Sequence, residues 1–329
     1  MSRFIYSYGN PQIVTKKGTV FNNQSLAEVE DFLLRRRIKR DLIKQSSLKL
    51  FLDNSNLILE HYNGGVHQYP VRQAFLNKLL NWFSLPAFPV INFSPESIVI
   101  IANEILRSIR SDVVLVTEND EALTILSPNF TVTEDIQILN ICGKLDISHV
   151  YRDDFMTRAY FQEQKQIQPQ VGDIVSCRVH LLNSETGFSA FELAAYLFRL
   201  VCKNGAVHKV PLGMNPEKFY HHGLNYERVR IYIDDFVEAV VPFFDCLEEK
   251  MNWLSSRRFD EKDKFIKDHL SKKIPAFAWN NLIKGFHQDP NNLTYYDFYN
   301  HITSTAKSMN PGSKLEYEKL AGLLTELSY

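Results

Sequence analysis

Two segments of the chain carry the charge and ring chemistry that a phosphate-rich ligand requires. Arg35-Arg36-Arg37-Ile38-Lys39-Arg40 is the most basic run. Cations of this kind neutralise phosphates and release condensed counterions. Between 199 and 230, Arg199, Lys203, Lys209, Lys218, Arg228 and Arg230 outnumber Glu217 and Glu227, with Asn204, Phe219, Tyr220 and Tyr226 among them. Cations that track a backbone and rings that stack on bases suit a single strand. The plainer alternatives are a solvated helix face at 35–40, where Glu28, Glu30 and Asp31 lie at helical pairing spacing, and a polar loop at 199–230.

Carboxylates offer a second chemistry. Asp153-Asp154 and Asp234-Asp235 are adjacent pairs that could hold Mg²⁺ against substrate phosphates. A metal-dependent phosphodiester hydrolase would draw on Asp153, Asp154 and Asp173, with His221 or His222 as base or ligand. Against it, adjacent aspartates are common as caps and turn residues, and His221-His222 in a strand would point to opposite faces. The four cysteines, Cys142, Cys177, Cys202 and Cys246, form no C-x-x-C pair, which disfavours a thiolate zinc site. Cys202 and His208 have nothing in the sequence that fixes them as a nucleophile and its base. No P-loop, dinucleotide fingerprint or G-x-S-x-G elbow is present. No cofactor is expected, and the balance of these signs leans away from an enzyme.

The elements that position these residues read as α+β. Ser25-Leu26-Ala27-Glu28 is a capping-box start, and the pattern predicts a helix from there to about Gln45. A hairpin follows, LKLFLD and LILEHY around Asn54-Ser55-Asn56. Helices are expected over VRQAFLNKLLNWF and from Ser94 to about Arg110. VVLVTE, ALTILS and QILNIC read as strands, the first pair joined at Asn119-Asp120-Glu121. IVSCRVHLLN reads as a strand, and FSAFELAAYLFRLVC as strand or helix. From about Arg228 the chain is helical, interrupted at Pro242, with further helices at 260–270, 274–286, 294–307 and 314–327. Strands and helices therefore mix in the first two-thirds, and the last third is all helical. This suggests an N-terminal αβ region at 1–145 and a core at 146–329, or one continuous domain.

Composition narrows the classes. The chain has 329 residues, 37 Lys+Arg against 38 Asp+Glu, and a net charge of −1. That balance excludes a protein basic throughout but permits a basic face cancelled elsewhere. The 23 Phe and 15 Tyr argue for a folded chain. No apolar run approaches the length of a membrane span, and the N-terminus lacks a secretory signal. A cytoplasmic protein with no membrane partner is expected.

One block is more specific. Val-Gly-Asp-Ile-Val from 171, the turn Asn183-Ser184-Glu185-Thr186-Gly187, and the run Arg199-Leu200-Val201-Cys202-Lys203-Asn204-Gly205 resemble a phage/plasmid-like protein family, domain of unknown function 932. The resemblance covers roughly 145–325 and includes an aromatic segment with Asn300 and Thr303. It implies a later histidine near a turn, here His221 or His222. It also implies a protein carried by mobile elements, near replication, recombination or defence. The expectation is a non-catalytic nucleic-acid-binding protein, with single-stranded DNA favoured. A module that docks a phage or host protein is a further alternative, through Trp279, Phe286, Tyr295, Tyr296, Phe298 and Tyr299. Those aromatics are expected to be mostly core.

Overall fold

The computed structural model describes residues 15, 16, 18–82, 93–142, 146–200, 204–208, 210, 226–291, 293–309 and 311–327. Two compact units interleave along the chain. The first draws on residues 1–159, 181–192 and 218–229, the second on 160–180, 193–217 and 230–329. The fold is α+β, with the strands before residue 209 and helices from 226 onward.

In the first unit, β1 (Phe21–Gln24) leads into α1 (Leu26–Arg35). The capping box forms: the Glu28 amide donates to Ser25 Oγ, and the Ser25 amide donates to the Glu28 carboxylate at 3.0 Å. The helix ends at Arg35, about ten residues before the sequence pattern suggested. The chain then becomes β2 (Ile38–Ile43), which pairs residue for residue with β6 (Val113–Glu118), from Ile38 opposite Glu118 to Ile43 opposite Val113. Ladder pairing with a Val-rich strand overrides the helical preference of the basic run. Lys39 and Arg40 therefore sit on an edge strand and not on a helix face.

β3 (Leu48–Asp53), β4 (Asn56–Tyr62) and β5 (Val66–Pro70) form a separate antiparallel sheet. Asn54 and Ser55 both have positive φ, the geometry of the tight hairpin turn. β7 (Glu121–Leu126) completes the β2-β6-β7 sheet through a similar turn at Asn119-Asp120. Two helices, α2 (Gln73–Trp82) and α3 (Pro95–Ser108), bury Phe75, Leu79, Ile98 and Leu106 in one core with Leu50, Leu59 and Leu115. Asn103 on α3 completes the edge of β3. Its side chain accepts from the Leu50 amide and donates to the Leu50 carbonyl, both at 2.8 Å.

The segment QILNIC, expected as a strand, lies in α4 (Asp135–Cys142). Ile138, Leu139 and Cys142 are buried at helical spacing, which a short apolar run could not reveal in advance. β8 (Ile147–Arg152) pairs antiparallel with β1, and β9 (Thr157–Phe161) follows.

In the second unit, β10 (Lys165–Gln170) and β11 (Asp173–Asn183) make a hairpin at Gly172, whose φ is +82°. The ambiguous segment before 200 is a strand, β12 (Glu192–Arg199), paired with β13 (Asn204–His208). The helices are α5 (Tyr226–Ser256), α6 (Ala276–Gln288), α7 (Tyr295–Lys307) and α8 (Pro311–Leu323), with a π-helical turn at Ile266–Leu270. α5 continues through Pro242, an exposed position, where an interruption had been expected. Phe286, Tyr295, Tyr296, Phe298 and Tyr299 are buried, so this aromatic stretch is core. α8 approaches β13 closely at Gly322, where a Cβ would sit 2.0 Å from the Val207 carbonyl oxygen.

Two stability measurements follow. Asn103→Leu strands the Leu50 amide and carbonyl and is expected to cost about 1–3 kcal/mol in urea unfolding; an unchanged midpoint would contradict the bridging role. Gly322→Ala forces helix and strand backbones apart and is expected to cost about 1–3 kcal/mol, read as a lowered thermal midpoint.

Candidate functional site

The first unit encloses a network of charged side chains. Arg36, Arg72 and Arg152 have side chains 4–6% exposed. They face Glu118, Asp135, Asp154 and Glu185, all at most 9% exposed. Arg36 follows the end of α1 and makes a bidentate pair with Glu185, with Glu118 3.8 Å away. Arg72, just before α2, binds Glu118 directly, Asp154 at 2.9 Å and the partly exposed Glu121 at 2.8 Å. Arg152, at the end of β8, binds Asp135 at 3.1 Å and lies 3.7 Å from Glu185. Its guanidinium also sits over the Phe32 ring at 5.3 Å.

The Asn183–Gly187 turn organises this network. The Asn183 amide nitrogen donates to Asp135 Oδ1 at 2.8 Å and to the Thr133 carbonyl. The Asp135 backbone amide donates to Glu185 at 2.6 Å, and Thr157 donates its hydroxyl to Asp135 at 2.7 Å. Ser184 and Thr186 hydroxyls donate to the Phe155 and Asp154 carbonyls. At Gly187, with φ +75°, the carbonyl accepts from Lys78 Nζ at 2.6 Å. Burial pushes that lysine down to about 8.

Burial and partners set opposite directions for the two acids at the centre. Burial, reinforced by Glu185, raises the Asp135 carboxyl against the pull of Arg152 and Arg36. Burial also opposes ionisation of Glu185, but Arg36 overrides it and holds that carboxyl below its ordinary value. Burial likewise opposes the charge on Arg36 and Arg72; Glu185 restores the first, and Asp154 and Glu118 the second.

Around this network lie the predicted surface cations. Arg35 pairs with Asp31 at 2.6 Å, Lys39 with Asp120 at 3.5 Å, and Arg37 with Asp120 at 3.9 Å. Arg40 pairs with Glu134 at 3.0 Å. The backbone amide of Glu134 donates to the Tyr226 hydroxyl at 3.4 Å, and that hydroxyl donates to the Val132 carbonyl. Arg40 and Tyr226, nearly two hundred residues apart, thus meet at Glu134. Arg228, two residues further along α5, is exposed. Arg36 is the exception in its run, because its buried side chain cannot meet a ligand at the surface.

In the second unit, the signature residues bind one another. Asp173 accepts from Arg199 Nε at 2.6 Å and from the Tyr296 hydroxyl at 2.7 Å. Asn204 is 3% exposed and donates to Thr303 Oγ1 at 2.7 Å. Neither Asn204 nor Asp173 is placed to meet an external ligand. His208 lies between Thr325 and Tyr299, at 3.1 and 3.2 Å, and burial lowers it to about 3. Arg230 is exposed on α5.

The alternative metal ligands are otherwise engaged. Asp153 closes its own turn, accepting from the Phe155 and Met156 amides and from the Tyr151 hydroxyl. Asp154 is paired with Arg72. Among the described residues, no three His, Cys, Asp or Glu side chains converge as metal ligands. Lys203, Lys209, Tyr220, His221, His222 and Cys202 lie outside the described residues. No described helix is long and apolar enough to cross a membrane.

The residues that sequence reasoning missed are Arg72, Glu118, Glu134, Asp135, Arg152 and Glu185. One available signal was a lone charge inside an apolar strand pattern, as in VVLVTE and HVYR. The other was the turn motif containing Glu185.

Residues 122–311, more than half of the chain, match the family described as Domain of unknown function (DUF932), and the chain belongs to that family. No curated protein and no solved structure matches it.

Glu185→Gln leaves Arg36 buried with a weakened partner and is expected to cost about 3–5 kcal/mol at pH 7. Because Glu185 is depressed in the fold, its contribution is complete above the unfolded carboxylate range, about 4.3. It is lost as pH falls through the folded value. The difference between Glu185→Gln and the parent chain should therefore shrink in urea unfolding below about pH 4. A gap that stays constant with pH would contradict the assignment.

Proposed function

We propose that the protein binds nucleic acid without catalysis, with single-stranded DNA as the favoured ligand, and that it serves a phage, plasmid or other mobile element. The observation that carries this reading is the meeting of Arg40 and Tyr226 at Glu134. It joins the two segments whose composition suits phosphates and bases. The exposed edge strand β2 supplies Lys39 and Arg40, with Arg35 and Arg37 immediately before it. Tyr226 supplies a half-buried ring, and Arg228 a further exposed cation.

In this reading the phosphates exchange with Asp31, Asp120 and Glu134 for the cations. Surface ion pairs contribute only about 0–1 kcal/mol each, so exchange is inexpensive. Arg199 and Arg230 belong to the second unit and are secondary candidates, as are Lys203, Lys209 and Tyr220. The role in mobile elements follows from the sequence resemblance.

Fluorescence anisotropy of a labelled single-stranded oligonucleotide tests the reading. With roughly four phosphates neutralised, the slope of log affinity on log salt should be about −3. Arg37→Ala with Lys39→Ala should weaken binding and flatten that slope by about 1.4. An absence of binding at low salt overturns the proposal.

A further inference from the structure

A pair of histidines in the first unit lies outside everything above. His61 on β4 and His67 on β5 are directly opposed in the antiparallel register. Their ring centroids are 6.4 Å apart. His61 is 6% exposed and lies on the face of β4 that carries the buried Leu57 and Leu59, whereas His67 is exposed. Neither imidazole makes a hydrogen bond to a described residue. Burial, then the proximity of His67, lowers His61, and the Asp41 carboxylate on β2 pulls it the other way.

We propose that His61 and His67 form a binding site for a divalent first-row transition metal, with zinc as the reference ion. Neutral imidazole is a common ligand for such ions. Zn–N bonds are about 2.0–2.1 Å, which places two ring centroids on one tetrahedral ion at about 5 Å. Rotation of the exposed His67 ring closes the remaining distance. Water or an external ligand completes the coordination. Asp41 contributes negative charge beside the site, in keeping with its effect on His61.

The hairpin explains why this position suits the purpose. The strand register fixes both Cα atoms, so only side-chain torsions must adjust. The site lies on the sheet that Asn103 completes at its other edge, so metal binding should stabilise the first unit. This site is independent of the nucleic-acid reading, and either can fail alone.

The test is calorimetric titration of the full chain with zinc chloride, repeated with cobalt to read its visible absorption. One site per chain is expected, with a raised thermal midpoint when metal is bound. Loss of an outer-shell partner already costs about 10–100-fold in metal affinity, so His67→Gln should weaken binding by at least about tenfold. His61→Gln should do the same, and Asp41→Asn should weaken it less. His67 is exposed, so His67→Gln keeps the test readable if His61→Gln fails to fold. Binding that is absent at millimolar zinc, or unchanged in His67→Gln, overturns the proposal.

Discussion

Three arginines enclosed in a protein interior must be neutralised there, and much of the first unit is arranged around that requirement. The solvation lost by a buried guanidinium or carboxylate is several kcal/mol per ion. Only close geometry and complete hydrogen bonding repay it. The chain meets most of this with carboxylates from distant segments: Glu118 at the end of β6, Asp135 at the start of α4, Asp154 between β8 and β9, and Glu185 in the turn after β11. Among the described residues, Glu118 Oε1 and Arg152 Nη1 are buried without a hydrogen bond, and ion pairing with Arg36 and Glu185 meets the charge at those ends. These pairings tie the end of α1, the start of α2 and the end of β8 to one another. The charge balance is slightly acidic, which is consistent with the raised Asp135 carboxyl.

The second unit uses a different means to the same end. Its helices meet its strands through neutral or singly charged side-chain pairs: Tyr296 on Asp173, Thr303 on Asn204, Tyr299 and Thr325 on His208. A buried His208 stays neutral and therefore costs no ion desolvation. Rings stack beside these bonds, Tyr299 against both His208 and Tyr296, and a further aromatic cluster forms where Phe259 meets Phe286 and Phe298. These hydrogen bonds specify how α7 seats on β11 and β13.

Local rules were legible in the sequence, and long-range ones were not. The Ser25 capping box and the Asn54-Ser55 hairpin follow from spacing alone, and the aromatics of the last third, expected to be mostly core, are buried. The basic run was misjudged because its residues divide between a helix end, a connection and an edge strand. Arg35 and Arg37 emerge into solvent, whereas Arg36 between them is buried on Glu185. Nothing in the local pattern distinguishes the three, since the deciding partner lies 149 residues away. The short apolar run in α4 failed for a related reason: its length suits a strand or a helix, and only burial decides.

The limits of the family segment acquire a meaning from this arrangement. The match begins at Ala122, within β7. It includes Asp135, Asp154 and Glu185 with Arg152, but Arg36, Arg72, Glu118 and the pairing strands β2 and β6 all precede it. The shared segment therefore carries an unbalanced set of interior anions and an unpaired strand edge. In this chain the residues before 122 act as a folding complement to the matched segment, supplying Arg36, Arg72 and the strand β6 that β7 pairs with.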